Sequence, residues 1–208
     1  KNLDEIIFNG PKDELNQTEN TQPAIFLVSY SIFKVIENET QFKINNAKYF
    51  AGHSLGEYSA LCCANSLSFE QTINLLKHRG QAMQNAFPKG QGGMIAILGE
   101  KIEKIKKILN DNNNNFKCYI ANDNSNGQIV ISGKTMDLQL FENDLKERNI
   151  KFVNLPVSAP FHSPLMKNAT EQMKQLIIGK MARKPLGTKL QKLKIIYNLI
   201  EILKSQKS

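Results

Sequence analysis

From Gly93 to Pro156 the apolar pattern switches repeatedly between the two-residue period of a strand and the 3.6-residue period of a helix, which constrains the fold more than any other feature. GMIAIL reads as a strand, EKIEKIKKILN as an amphipathic helix, FKCYIA and QIVIS as two strands, TMDLQLFENDLKER as a helix and KFVNLP as a final strand. Asn112 to Asn115 and the stretch NDNSNG supply loops, being rich in residues that accept turn conformations. The resulting order is βαββαβ.

That order is the ferredoxin-like pattern. It predicts a small unit over 93–156 inserted into a larger α/β body that occupies 1–92 and resumes at Val157. In the body, apolar residues at 24, 25, 28, 32, 35 and 36 follow helical spacing, with Pro23 suited to a first turn. A short apolar run from Ala47 to Ala51 reads as a strand that stops at Gly52, with a helix from about Leu55 to Ala64. Ser68 and Gln71 form a capping-box signal for a helix from Phe69 to about Asn85.

Gly52-His53-Ser54-Leu55-Gly56 is therefore a G-x-S-x-G pentapeptide between a predicted strand and a predicted helix. Glycines on both sides permit a strained turn that lifts the Ser54 hydroxyl clear. The Leu55 N–H and the helix dipole can then stabilise an oxyanion. A chance glycine-rich turn is the plainer alternative. A nucleophilic serine needs a base, and the chain offers three histidines. His53 adjoins Ser54 and should point across the turn, while His78 sits within a helix as a packed or solvent-facing residue. His162 lies in the irregular, proline-flanked segment Ser158 to Pro164, where a loop histidine suits general-base work. Arg79 is either a solvated helix arginine or a guanidinium that grips a substrate carboxylate through its planar fork.

Composition excludes some functions. The net charge of +8 is not spread over the chain: residues 1–173 carry 18 basic and 18 acidic side chains, and residues 174–208 carry 9 and 1. A neutral body with a basic end argues against a nucleic-acid-binding core. No window reaches the roughly 18 apolar residues of a membrane span, and KNLDEIIFNG lacks a secretory h-region. Cys62, Cys63 and Cys118 make neither an even disulfide set nor a metal-ligand spacing, which fits a reducing compartment.

Five segments together, Asn20-Thr21-Gln22-Pro23-Ala24, AGHSLGEYSAL, HRGQAMQ, ANDNSNGQIVISG and LPVSAPFHSPLM, closely resemble the malonyl-CoA:acyl carrier protein transacylases of fatty acid synthesis. The resemblance runs from residue 1 to about 175. It implies an α/β-hydrolase-like large subdomain with an inserted ferredoxin-like subdomain, and a soluble monomer of the cytoplasm or an organelle matrix. It implies Ser54 as the acylated serine, His162 as its partner, Arg79 as the malonate-carboxylate ligand, Leu55 as an oxyanion-hole amide and Asn122 as a polar residue near the site. Phe161 before His162 resembles malonyl-selecting members. The implied partners are malonyl-CoA and an acyl carrier protein, with coenzyme A thioester as substrate and no cofactor, nucleic acid or membrane.

Two departures are expected to bear on activity. Family members begin with a strand and a Gly-Gln-Gly-Ser-Gln-type loop that would lie ahead of the first residue here, and no resemblance to the family is read over the basic tail at 176–208. A serine thioesterase or esterase and an inactive truncated remnant are the alternatives. A sheet without its first interior strand leaves unpaired edges, so the chain is expected to fold poorly except for a local island over 93–156.

Overall fold

The computed structural model describes residues 2–111, 115–157 and 159–181. They fall into two compact units, residues 2–84 with 171–181 and residues 85–170. Most of the basic tail, from 182 on, lies outside the described residues, as do Asn112 to Asn114 and Ser158.

The first unit is helical among the described residues. It contains α1 (Leu3–Asn9), α2 (Lys12–Leu15), α3 (Thr18–Glu39), a 3-10 turn at Ile44–Asn46, α4 (Gly56–Cys63) and α5 (Phe69–Asn85). The capping box forms as expected: the Ser68 N–H donates to Gln71 Oε1 at 3.0 Å, and the Gln71 N–H to Ser68 Oγ at 3.1 Å. Two helix-start groups are thereby satisfied reciprocally. The core gathers around Phe26 and Leu76, both fully buried, with Tyr58, Cys62 and Leu75. Met173, from the last helix, joins them. Phe26, Tyr30 and Phe69 make a tilted aromatic cluster with centroids 5.2–5.7 Å apart, the spacing that offset ring pairs prefer.

Three expectations for this unit change. Helix α3 begins at Thr18, so Pro23 lies inside it and not in its first turn. Pro23 cannot donate the usual helical hydrogen bond, and just before it Thr21 Oγ1 donates to the Leu15 carbonyl at 2.5 Å and Asn20 Nδ2 to the Glu14 carbonyl at 2.9 Å, tying the start of α3 to α2. The apolar stripe of α3 is not its packed face. Gln22, Pro23, Ala24 and Phe26 are buried, whereas Ile25, Val28, Ile32, Val35 and Ile36 are 43–59% exposed. Finally, 47–51 forms no strand, because an extended run becomes one only beside a pairing neighbour. The described sheet is in the other unit.

That second unit follows the order read from the sequence: β1 (Gly92–Leu98), α6 (Ile102–Leu109), β2 (Cys118–Ser125), β3 (Gln128–Lys134), α7 (Thr135–Glu147) and β4 (Lys151–Asn154). The last helix, α8 (Lys167–Met181), follows a 3-10 turn at Pro164–Met166. The sheet is antiparallel throughout, in the spatial order β2-β3-β1-β4. The protein is thus mixed α/β with one described antiparallel sheet. Strand alternation sorts β1 onto two faces. Ile95 and Ile97 join Ile129, Ile131, Ile105, Phe141 and Leu145 in one core. Met94 and Ala96 face the other way, where Leu155, Val157 and Phe161 of the returning chain cover them.

Two predictions follow from this packing. A Cβ on Gly80 of α5 would overlap the Thr18 and Glu19 backbone of α3, so the helices cross there because position 80 has no side chain. Gly80→Ala, which in a free helix would stabilise by about 1 kcal/mol, is expected to destabilise by about 1–3 kcal/mol in urea unfolding. Burial first, and then the charge of Asp137, pushes the Cys118 thiol up to about 12. The folded state therefore keeps a proton that the unfolded chain releases above about 8.5, and stability falls as pH rises from about 9 towards 12. Unfolding midpoints at pH 8 and pH 10 should show this fall, and Cys118→Ala should reduce it.

Candidate active site

Ser54 stands at the turn into α4 with φ +53°, in the left-handed region that a non-glycine residue enters only at a cost of about 1–2 kcal/mol. Three backbone bonds hold the turn: Gly56 N–H to the His53 carbonyl at 2.9 Å, Glu57 N–H to the Ser54 carbonyl at 3.2 Å and Tyr58 N–H to the Leu55 carbonyl at 3.0 Å. Gly52 is required sterically, since a Cβ there would overlap the Gly56 carbonyl and the Glu57 nitrogen. Gly56 differs from the expectation of two space-making glycines, because its own Cβ would meet open space. Leu55 is the N-cap of α4 with helical backbone angles, so its N–H lies ahead of the intrahelical ladder at the positive end of the helix.

Arg79, on α5, reaches this serine. Its Nη2 donates to Ser54 Oγ at 3.2 Å and its Nη1 donates to Gln22 Oε1 at 2.5 Å, while its Cζ stands 5.8 Å from the centroid of the Tyr58 ring. Burial lowers the affinity of the guanidinium for its proton, and the charges of Tyr58 and Glu57 oppose that shift. It remains a cation at neutral pH, as arginine does. No described carboxylate forms an ion pair with it. Glu57 is half-buried, its carboxyl raised chiefly by burial and lowered in part by Arg79 and His53. A partly buried cation with no carboxylate in direct contact, touching a serine hydroxyl at a helix start, is an arrangement that can receive an anionic group bonded to that serine.

His162 belongs to the second unit and also has left-handed backbone, at φ +55°. Its neighbours hold it there. Pro160 is fully buried against Gly92, where any Cβ would overlap the proline ring. Buried Ser163 donates its hydroxyl to the Pro160 carbonyl at 2.6 Å, and Phe161 N–H donates to the Ala159 carbonyl at 3.0 Å. Phe161 packs with the group around Met94, Ala96 and Val130. Asn122 lies half-buried on β2, just past a register shift between Ile120 and Asn122 against β3. Of the other histidines, His53 is exposed, and His78 is solvent-facing with Nδ1 2.6 Å from the Asn74 carbonyl.

The structure thus brings Ser54, Leu55 and Arg79 together within one unit, and gives His162 and Asn122 their separate settings in the other. Sequence reasoning missed Gln22 and Tyr58 as partners of Arg79. A glutamine near a helix start reads as solvated, and nothing in its spacing from Arg79 announces the contact. Among the described residues, no cluster of His, Cys, Asp or Glu has the makings of a metal site. No helix among them is long and apolar enough to cross a membrane.

The acyl transferase domain model matches residues 2–198, which corrects the expectation that the resemblance stops near 175, because most of the tail over 176–208 falls within the match. The malonyl CoA-acyl carrier protein transacylase of Bacillus subtilis (strain 168) is 39% identical over 179 residues, covering 84% of this chain and 55% of the relative. That of Haemophilus influenzae is 40% identical over 169 residues, covering 81% and 54%. Among solved structures, the acyl-carrier-protein-S-malonyltransferase of Bartonella henselae superposes with a TM-score of 0.79 at 42% identity, covering 85% of this chain and 56% of that one. A malonyl-transacylase in complex with its type II polyketide synthase acyl-carrier protein superposes with a TM-score of 0.78 at 36% identity, covering 85% and 57%. The chain spans about half the length of the relatives it matches. Because the domain match extends over nearly all 208 residues, this chain belongs to the acyl transferase domain family.

Proposed function

We propose that the protein transfers a malonyl group from coenzyme A to the phosphopantetheine thiol of an acyl carrier protein, through a malonyl ester on Ser54. The observation that carries this reading is Arg79: a guanidinium without a carboxylate partner, 3.2 Å from the Ser54 hydroxyl. In a malonyl ester, the carbon of the free carboxylate is three bonds from Oγ. At about 1.3–1.5 Å per bond it stays within about 4 Å of that oxygen, where Arg79 lies. The names of the relatives, malonyl CoA-acyl carrier protein transacylases, support the same substrate and acceptor.

In this mechanism His162 takes the Ser54 proton as Oγ attacks the thioester carbonyl, and the Leu55 N–H, at the start of α4, donates to the developing oxyanion. The carbon–sulfur bond breaks, and coenzyme A leaves as a thiol with the proton from the imidazolium. The carrier-protein thiol then attacks the serine ester, giving up its proton to His162, and Ser54 regains a proton as the ester bond breaks. Arg79 holds the free carboxylate throughout, which disfavours acyl groups without one. Asn122 is assigned to the margin of the site. Coenzyme A thioester enters as substrate, and no step calls on a cofactor. We read the helical unit as part of an α/β-hydrolase-like body, over 1–92 and 157–175, and the antiparallel unit as a ferredoxin-like insertion over 93–156. The proposed setting is the cytoplasm.

Two experiments test this reading. Ser54→Ala should show no covalent malonyl adduct by intact mass after incubation with malonyl-CoA, and an adduct equal to that of the parent would remove Ser54 from its role. Arg79→Ala should reduce malonyl transfer by about a hundredfold or more, the value of a lost charge-assisted bond pair, while sparing acetyl transfer. Equal losses for both acyl groups would make Arg79 structural.

A further inference from the structure

Gln22 is the polar partner that leaves Arg79 charged. It is 3% exposed, and both ends of its amide are committed. Its Nε2 donates to Thr18 Oγ1 at 2.9 Å and to Met83 Sδ at 3.4 Å, and its Oε1 accepts from Arg79 Nη1 at 2.5 Å. The amide has one workable orientation. Reversing it would set an NH2 group against a guanidinium that only donates, and an oxygen against a thioether that only accepts. Thr18 and Gln22 stand one turn apart on α3, and Met83 stands four residues beyond Arg79 on α5. The Gln22 amide is therefore anchored from both helices, at the crossing that Gly80 permits.

We infer that Gln22 is a positioning and specificity-determining residue: it aims the Arg79 guanidinium at the acyl group on Ser54 without neutralising it, and so sets the preference for acyl chains ending in a carboxylate. The inference rests on the proposed role of Arg79. A glutamate of the same shape would still accept from Nη1, losing the donations to Thr18 and Met83, and it would supply a permanent buried counter-ion. An incoming substrate carboxylate would then meet a neutral pair and be repelled by the nearer carboxylate. A neutral amide oxygen satisfies one N–H and adds no carboxylate in direct contact to the longer-range pull of Glu57 on the guanidinium. Because Nη1 is held, Nη2 is left facing Ser54 Oγ.

The test measures formation of the Ser54 acyl ester by intact mass, with malonyl-CoA and acetyl-CoA over a range of concentrations, on the parent, Gln22→Glu, Gln22→Met and Arg79→Ala. For Gln22→Glu we expect the malonyl-over-acetyl preference to fall about 10- to 100-fold, the value of one charge-assisted bond. The loss should appear mainly in half-saturation and should be larger for malonyl than for acetyl acylation, and the thermal midpoint is expected to fall because a carboxylate oxygen replaces the N–H donor that faces Thr18 and Met83. Gln22→Met keeps the bulk and removes the acceptor, and should reduce the preference about tenfold. Should Gln22→Glu fail to fold, Gln22→Met carries the same test. Equal losses for both acyl groups in the folded variants, or an unchanged preference, would overturn the inference as a packing effect. If Arg79→Ala collapses the preference and the Gln22 variants do not, only the role of Gln22 falls. If Arg79→Ala leaves the preference intact, or the parent acylates with neither thioester, the proposed function falls and this inference with it.

Discussion

Contact between the backbones of Gly52 and Gly56 is the constraint on which the candidate site depends. With no side chain at position 52, the chain entering the turn lies directly on the first residue of α4. Ser54 spans that narrow turn in left-handed backbone, and three short-range hydrogen bonds around it offset the local strain. The hydroxyl, the Leu55 N–H and the helix start are consequently set by one local structure. Rigid placement of this kind lets a serine act without reorganisation when charge develops beside it.

The same economy appears around Arg79. Its aim depends on two helices approaching closely, which Gly80 allows, and on Gln22 meeting the guanidinium at the crossing. The Tyr58 ring lies against the guanidinium and comes from the helix that Ser54 introduces. Ser54 and Arg79 are thus tied to one helical core built on Phe26, Leu75 and Leu76. In the second unit, His162 is held by an analogous device. Pro160 pressed on Gly92 and the Ser163 hydroxyl bonded back to the Pro160 carbonyl fix a left-handed histidine at the end of a segment that covers β1.

Much of this was legible in advance where local chemistry governs. The βαββαβ order, the capping box at Ser68 and Gln71, and the extent of α5 follow from period and cap residues, which act over a few positions. Periodicity failed for α3, because a helical stripe tells which residues share a face and not which face is covered. The stripe from Ile25 to Ile36 is exposed, while Phe26, from another face, carries the packing. The run from Ala47 to Ala51 failed for a related reason. A strand is defined by its neighbour, and the described residues beside it supply none.

By itself the sequence determined the candidate residues. Gly52, Ser54, His162 and Arg79 stand in patterns whose chemistry is readable from residue type, and the motifs around them carry the family resemblance. Tertiary structure alone decided what surrounds those residues. That Arg79 turns towards Ser54, that Gln22 from a distant stretch of chain is its partner, and that no described carboxylate forms a direct ion pair with it all depend on how α3 and α5 approach. The physical reason is range: propensity and capping act between residues within a turn or two, whereas the charge state and aim of a buried cation are set by whichever groups packing brings into contact, however far apart they lie in the chain.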